Sequence, residues 1–237
     1  MKENLKTIAS ALLLAVVIRI VLFEAFEIEG PSMEPSLLNG DRVVVAKFMY
    51  GLFLPFTDEA ILTWSHPDPT DVVILKSPMD NIDIVKRVIG VAGDRIEVKK
   101  DRVFRNGKPV ARRALGPCRD NPCDRYGGST ELLGCTLWEE RIGKERYSVN
   151  FAEDSVENMT ETSAVIVPEG HLFVLGDHRD HSNDSRFFGV VPAQRVKGKA
   201  LSIYWSSHSA TEAMASGQAP GPWWSRIRFC RIADPVR

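Results

Sequence analysis

The chain lacks a strong net charge, and it contains few cysteines. Its 237 residues include 30 lysines and arginines against 31 aspartates and glutamates, so the net charge is −1. Without a basic surplus there is no electrostatic field to attract phosphates, and we expect no nucleic-acid partner. The cysteines lack the two-plus-two spacing of a zinc site, so we expect no metal and no other cofactor.

The four cysteines still bear on the compartment. Cys118 and Cys123 are close enough to close a small disulfide loop, which an oxidising compartment would permit. Zinc binding is the competing interpretation, but Cys135 and Cys230 stand apart from that pair. If these residues are bonded, we therefore expect a Cys118–Cys123 disulfide.

Long apolar runs are missing except at the N-terminus. Residues 5–26 would form a helix about 33 Å long, enough to cross a bilayer, with Arg19 snorkelling or facing protein. A cleavable signal peptide is the alternative, but the apolar run continues where a small-x-small cleavage motif would be needed, so we expect a retained anchor. Lys2 and Lys6 precede the run and glutamates follow it, which predicts a cytoplasmic N-terminus. Everything after Phe26 then lies on the outer side of the membrane.

Beyond this run the sequence shows no helical periodicity. It contains instead short segments rich in β-branched residues. We predict strands at residues 41–47, 71–76, 82–91, 95–99, 164–167, 171–175 and 196–205. The dipeptide Asn106-Gly107 predicts a two-residue hairpin turn. The sequence therefore predicts a mainly β fold, namely an all-β domain behind a single transmembrane helix.

Composition divides the chain into four parts. We expect the cytoplasmic tip and anchor at residues 1–26, the first part of the β domain at 27–113, a loop-rich or β-hairpin insertion at 114–161, and the second part of the domain at 162–237. Within the last part, residues 206–222 are small and polar, which predicts a mobile C-terminal tail.

A short restricted turn follows the apolar run. Glycine and two prolines surround Ser32 in the stretch Gly-Pro-Ser-Met-Glu-Pro at residues 30–35. Because these residues limit the backbone, Ser32 is held at a defined angle, as a nucleophile must be. The same stretch is also compatible with an ordinary turn.

The strand predicted at residues 82–91 carries two neighbouring cations. Lys86 and Arg87 point to opposite faces, and branched aliphatic residues flank each of them. Burial disfavours the ammonium form, so Lys86 can lose its proton and act as a base, whereas Arg87 must find a carboxylate. A strand-edge lysine with its amine in water is the alternative.

A polar segment at residues 176–186 lies between two apolar strands. It contains three aspartates, two arginines and two serines. A polar segment held in this way favours a hydrogen-bonded platform, in which carboxylates pair with arginines and a hydroxyl orients a neighbour.

Together these stretches resemble the boxes of bacterial type I signal peptidases, the leader peptidases with a serine/lysine dyad. The matching boxes are Pro-Ser-Met-x-Pro-Ser-Leu at 31–37, Gly-Asp-Arg-Val-Val-Val-Ala-Lys at 40–47, Asp-Val-Val-Ile at 71–74, Val-Lys-Arg-Val-Ile-Gly at 85–90 and Gly-Asp-His-Arg-Asp-His-Ser at 176–182. They occur in the family's order behind a membrane anchor. The resemblance implies a serine endopeptidase that removes signal peptides from exported preproteins.

The resemblance also assigns roles to residues. Ser32 would be the nucleophile, neutral Lys86 would take its proton and later supply one to the leaving amine, and the Ser32 N–H would hold the oxyanion. Supporting roles fall to Ser182, which would hydrogen-bond the lysine, and to two ion pairs. These pairs are Asp177 with Arg87 and Asp184 with Arg186.

The sequence departs from the family pattern at three positions. Gly30 stands where many Gram-negative relatives have a serine that adds a hydroxyl to the oxyanion site, and His178 and His181 replace two asparagines. Histidine can still donate and accept hydrogen bonds, so we expect a structural role; a catalytic histidine is the alternative. Many relatives also carry two anchors, whereas this chain shows one.

The family further implies how a substrate binds. An extended preprotein would add main-chain hydrogen bonds beside residues 27–29 and 82–85, with small side chains one and three residues before the cut. The residues around their shallow pockets would be Phe26, Ile28, Ile84 and Val85. The aromatic stretch 48–64 would either meet the membrane interface or pack on the core. We expect a monomer bound to the lipid bilayer at the outer face of the bacterial inner membrane.

Two other functions fit parts of the sequence. A self-cleaving domain of the SOS-repressor type shares a serine/lysine dyad, but it would need a DNA-binding helix-turn-helix where this chain has its apolar run. A non-enzymatic, membrane-tethered β domain would bind partners, and it would be indifferent to the loss of Ser32 or Lys86.

Overall fold

The computed structural model describes residues 4, 6–11, 22–53, 60–100, 102–118, 135–152, 162–208 and 222–236. Beyond helical residues at the N-terminal end, these ranges form one short α-helix, α1 (Ser185–Phe188), a few 3-10 turns and sixteen strands. The strands are β1 (Phe23–Glu27), β2 (Asp41–Ala46), β3 (Gly51–Phe53), β4 (Ala60–Thr63), β5 (Val72–Lys76), β6 (Asp83–Gly90), β7 (Arg95–Lys99), β8 (Arg102–Arg105), β9 (Lys108–Pro109), β10 (Ala111–Pro117), β11 (Cys135–Ile142), β12 (Glu145–Ala152), β13 (Thr162–Ile166), β14 (His171–Leu175), β15 (Val191–Pro192) and β16 (Val196–Ser206). The mainly β fold class is therefore confirmed.

The N-terminal apolar run is described only in part. Residues 6–11 are helical, and residues 12–21 lie outside the described ranges. The prediction of helix as far as Phe26 is wrong, because β1 begins at Phe23 and pairs with β2 along its whole length. Within the described residues, no helix has the length and apolarity needed to span a bilayer.

Seven strands form the main sheet in the order β1-β2-β16-β5-β6-β14-β15, with antiparallel neighbours. β5 and most of β6 are buried, whereas β1 at the edge of the sheet is largely accessible. The side chains of Val45, Ile74 and Val85 share one core with Met33 and Leu37 from the turn after β1. Burial of these apolar groups fixes the turn that carries Ser32 to the sheet.

Two smaller sheets, β13-β7-β8-β9 and β10-β11-β12, contribute to a second core. Asn106 and Gly107 have φ values of 54° and 76°, as a type I′ turn requires, so the predicted hairpin is confirmed between β8 and β9. Val149 and Phe151 of β12 are buried in the same core as Phe173 of β14. The β11–β12 hairpin, inside the expected insertion, is therefore part of the packed domain.

The cysteine pairing differs from the expectation. Cys118 is bonded to Cys135 and not to Cys123. Antiparallel pairing of β10 with β11 explains this, because the Cys118 N–H donates to the Cys135 carbonyl at 2.8 Å and the two Cα atoms lie 5.3 Å apart. Cys230 is also disulfide-bonded.

The structure describes only the two ends of the segment expected to be mobile, residues 206–222. Ser206 is buried at the end of β16, and residues 209–221 lie outside the described ranges. Residues 222–236 pack against β2 and β16, because Arg231 donates to the buried Asp41 at 2.6 Å and to the Ser36 carbonyl at 3.0 Å. The end of the chain therefore braces the segment that follows Ser32.

The loss of Arg231, which binds the buried Asp41, should destabilise the protein more than the loss of Arg42, which binds an exposed glutamate. Arg231→Ala should lower the free energy of unfolding by about 3 kcal/mol, because it weakens the charge compensation of Asp41, which is 0% exposed. Arg42→Ala, which removes the exposed pair with Glu27, should cost less than about 1 kcal/mol. Urea unfolding at pH 7 measures both, and equal losses would contradict the assignment of Arg231.

Candidate active site

Ser32 lies in the turn between β1 and β2. The ends of this turn are joined by the Ile28 N–H, which donates to the Asp41 carbonyl at 2.8 Å. Gly30 has a φ of 84°, a conformation that favours glycine, and Met33 next to Ser32 is 1% exposed. The turn therefore holds Ser32 in a fixed position rather than on a free loop.

Lys86 lies on β6 with its amine against this serine. Its Nζ donates to Ser32 Oγ at 2.8 Å and to the Val85 carbonyl at 2.9 Å, and the residue is 3% exposed. Burial lowers the pKa of Lys86 from 10.5 to about 8, because water cannot solvate the ammonium form there. Asp184 and Asp177 raise this pKa, but by less than burial lowers it. The strand-edge lysine with its amine in water is thereby excluded.

Both ion pairs that the resemblance implied are present. Arg87 donates to Asp177 through Nε at 2.7 Å and Nη2 at 2.6 Å, and Arg186 donates to Asp184 through Nε and Nη2 at 2.8 Å each. All four residues are buried. Because each carboxylate is bound by two guanidinium N–H groups, part of its charge near Lys86 is compensated.

Ser182 lies beside the nucleophile without the hydrogen bond that the resemblance implied. In the described part of the chain, Lys86 Nζ donates to Ser32 and Val85, and the buried Ser182 hydroxyl has no hydrogen-bond partner. A β-carbon at Gly176 would collide with the Ser182 side chain and the Ser32 carbonyl. Ser182 therefore packs over Gly176, and the predicted Ser182–Lys86 hydrogen bond is wrong for this structure.

Sequence reasoning missed a buried network beneath the polar segment. Arg179 donates to the Glu140 carboxylate through Nη2 at 2.5 Å and Nη1 at 3.3 Å, and the Tyr147 hydroxyl donates to the same carboxylate at 2.9 Å. The Arg87 guanidinium lies over the Tyr147 ring, 4.5 Å from its centre. Burial, with the charge of Glu140, raises the pKa of Tyr147, so the phenol remains a donor. The hairpin of β11 and β12 thus supports the Arg87–Asp177 pair.

The two histidines lie on the main-chain side of the nucleophile. The His178 N–H donates to the Ser32 carbonyl at 3.2 Å, its ring lies 4.0 Å from the Glu34 carboxylate, and its Nε2 is 3.1 Å from His181 Nδ1. The backbone N–H of His178 thus holds the Ser32 carbonyl, while Lys86 contacts the Ser32 hydroxyl. Within the described ranges, no group of three or more histidine, cysteine, aspartate or glutamate side chains could hold a metal ion.

A cleft of about 180 Å³ leads to Ser32 and Lys86. One wall consists of residues 26–29 and the other of residues 82–86, so the cleft contains all four expected pocket residues. These are Phe26, Ile28, Ile84 and Val85. β5 pairs with one edge of β6, but β14 pairs with the other edge only from Arg87 to Gly90. Among the residues that the structure describes, no strand pairs with this second edge from Asp83 to Lys86, so the β6 wall presents an open main-chain edge to the cleft.

Comparison with known families identifies the chain. The family described as signal peptidase, peptidase S26, matches residues 1–205. The chain belongs to this family. The predicted resemblance is confirmed, and the protein is a serine endopeptidase of the peptidase S26 family, whose activity is the removal of signal peptides.

Individual relatives are named signal peptidase I. A signal peptidase I of Pseudomonas fluorescens is 34% identical over 213 residues, which cover 85% of this chain and 71% of the relative. A signal peptidase I of Rickettsia typhi is 30% identical over 219 residues, which cover 87% and 81%. A solved signal peptidase I of Enterococcus faecalis is 24% identical, with a TM-score of 0.33, and the alignment covers 58% of this chain and 98% of that one.

Two neighbouring glutamates of β11 test the buried network. Glu140→Gln should lower the free energy of unfolding by about 3 kcal/mol, because it leaves the buried charge of Arg179 without its counter-ion. Cleavage activity of the folded variant should also fall, since Arg179 Nε donates to the Gly176 carbonyl at 3.0 Å and so positions the segment beside Ser32. Urea unfolding and steady-state peptide cleavage measure the two effects.

Glu139→Gln is the matched control, because Glu139 is partly exposed and pairs with surface arginines. It should change the free energy of unfolding by less than about 0.5 kcal/mol and leave cleavage unaltered. If the Glu140→Gln variant were as stable and as active as this control, the buried network would not support the site.

Proposed function

We propose that the protein removes signal peptides from exported preproteins with Ser32 as nucleophile and Lys86 as general base. The observation that carries this proposal is the 2.8 Å contact between Ser32 Oγ and an amine whose pKa burial lowers to about 8. A lysine of ordinary pKa is almost wholly protonated at pH 7 and cannot accept a proton. With a pKa of about 8, about a tenth of the molecules carry a neutral amine at that pH.

In the acylation step, Ser32 Oγ attacks the carbonyl carbon of the scissile bond while its proton moves to Lys86 Nζ. Negative charge develops on the carbonyl oxygen, and the Ser32 N–H, which has no acceptor among the described residues, is available to bind it. Gly30 contributes no hydroxyl to this oxyanion site. Lys86 then protonates the leaving amine, the peptide bond breaks, and the signal peptide remains as an ester on Ser32.

In the deacylation step, Lys86 takes a proton from a water molecule while the water oxygen attacks the ester carbonyl carbon. The bond from this carbon to Ser32 Oγ then breaks, Lys86 returns the proton to Oγ, and the signal peptide leaves with a free carboxyl end. The amine must therefore alternate between its neutral and charged forms in one pocket. Burial favours the neutral form, whereas Asp184 and Asp177 favour the charged form. These opposing effects keep both forms accessible. Arg87 and Arg186 have supporting roles through their ion pairs with Asp177 and Asp184. Ser182 has one through its packing over Gly176.

The cleft favours an extended substrate. The open edge of β6 can pair with the main chain of a peptide, and residues 26–29 form the opposite wall. Phe26, Ile28, Ile84 and Val85 leave little room between these walls, which suits small side chains such as alanine one and three residues before the cut. This specificity is part of the proposal.

We place the active site at the outer face of the bacterial inner membrane, on a monomer with a cytoplasmic N-terminus and one anchor before β1, within residues 1–22. Lysines before the apolar run and glutamates after it support this orientation. Three exposed side chains near β4 support contact with lipid by the aromatic stretch. They are Ile61, Leu62 and Trp64, each more than half exposed.

The dyad predicts that two conservative changes abolish cleavage without unfolding the protein. Ser32→Ala removes the nucleophile and Lys86→Met removes the base, so each should lower kcat/KM by at least about 1,000-fold on a synthetic preprotein with Ala-x-Ala before the cut. Ser65→Ala and Lys99→Met, on exposed side chains, are the matched controls and should retain full activity. Cleavage by the Ser32→Ala or Lys86→Met protein at the rate of these controls would show that the dyad is not the catalytic pair.

The lowered pKa of Lys86 predicts the pH dependence of cleavage. The base must be neutral, so kcat/KM should rise about tenfold per pH unit below pH 8 and level off above it. Steady-state measurements of kcat/KM from pH 6 to 10, with unfolding monitored at each pH, test this rise and plateau. A profile that is flat across this range, or one that still rises at pH 10, would contradict a buried lysine base.

A further inference from the structure

The β6 wall of the cleft continues into an exposed apolar surface. Ile82, the residue before β6, lines the cleft and is 58% exposed, and Met79 in the preceding turn is 66% exposed. We call these two side chains the apolar ledge. Single exposed apolar residues are common on protein surfaces, so the meaning of the ledge depends on its position.

The turn between β5 and β6 holds the ledge in place. The Ser77 N–H donates to the Ile82 carbonyl at 2.8 Å and closes the hairpin. Asn183 Nδ2 lies 3.6 Å from Met79 Sδ, and Asn183 adjoins Ser182 beside the nucleophile. The ledge is therefore a fixed part of the rim of the active site.

The strand edges determine in which direction the acyl part of a substrate leaves Ser32. From Arg87 to Gly90, the edge of β6 that faces away from β5 is occupied by β14. A peptide paired with the open edge must therefore run from Lys86 back toward Asp83. That end of the cleft is bounded by Phe26 and Ile82.

The spacing of an extended chain places substrate residues along this wall. Each residue advances about 3.3 Å, so a peptide with residue −1 at Lys86 has residue −3 near Ile84 and residue −5 near Ile82, about 13 Å from Lys86. Alternate residues share one face of an extended chain, so −5 points to the same side as −1 and −3. The ledge lies where the narrow cleft ends, and a larger side chain fits there.

We propose that the apolar ledge binds an apolar side chain five residues before the cut. This inference rests on the proposed signal-peptide cleavage and adds a third position of selection to it. A leucine at −5 would remove apolar surface of Ile82 and Met79 from water, whereas a serine would gain little from the same contact. Small side chains are selected near Ser32, and a large apolar one is selected at the ledge.

Two synthetic preprotein peptides that differ only at −5, leucine against serine, test the proposal with the full chain in detergent micelles. The leucine peptide should have a kcat/KM about tenfold higher, with most of the difference in KM. Ile82→Ser and Met79→Ser should each bring this ratio toward one, mainly by slowing cleavage of the leucine peptide. Ile166→Ser, which removes an equally exposed isoleucine on β13, should leave the ratio unchanged.

Equal cleavage of the two peptides by the unaltered chain, or an unchanged ratio in Ile82→Ser, would overturn the proposal. Weaker binding of Ile82→Ser to phosphatidylglycerol vesicles, with the peptide ratio intact, would show that the ledge contacts lipid instead. Equilibrium binding of both peptides to the full-length Ser32→Ala variant repeats the test without catalysis. If neither peptide is cleaved but leucine still binds more tightly, the proposed catalysis fails and the ledge stands.

Discussion

The site depends on the burial of one amine. In the proposed mechanism Lys86 can serve as the base because desolvation lowers its pKa by more than the two nearby carboxylates, Asp184 and Asp177, raise it. Each carboxylate is bound by a guanidinium, and the charge of Arg186 itself lowers the pKa of Lys86. The two ion pairs therefore do more than stabilise the polar segment. They allow that segment to lie beside a neutral lysine.

Ser32, the proposed nucleophile, is held by parts of the chain that are far apart in sequence. Arg87 donates to the Ser36 hydroxyl at 3.2 Å, and Arg231 donates to the Ser36 carbonyl, four residues after Ser32. The His178 N–H binds the carbonyl of Ser32 itself. Three segments thus fix the turn from different sides, so a substitution in any of them can displace the hydroxyl without contacting it.

Local patterns explain why part of the site was predictable. Ser32 and Lys86 could be found because each lies in a short stretch with its own signature, a restricted turn and a buried cationic strand. The partner of Arg179 could not be found in this way, because Glu140 lies 39 residues earlier and the register of β11 alone decides that it faces inward. The same dependence on strand pairing explains the unpredicted bond from Cys118 to Cys135. It also explains β1, which the sequence predicted as the end of a helix because the apolar run continues through it.

The open edge of β6 also constrains what can react. Unpaired strand edges recruit other chains, and an edge beside a nucleophile would be hazardous if any protein could reach it. Here the open edge spans residues 83–86 and faces residues 26–29 across a cleft of about 180 Å³. A folded domain presents its strands already paired and cannot enter such a space, whereas an extended segment can. In the proposed mechanism the cleft therefore admits an extended main chain, and its pockets would then discriminate among side chains.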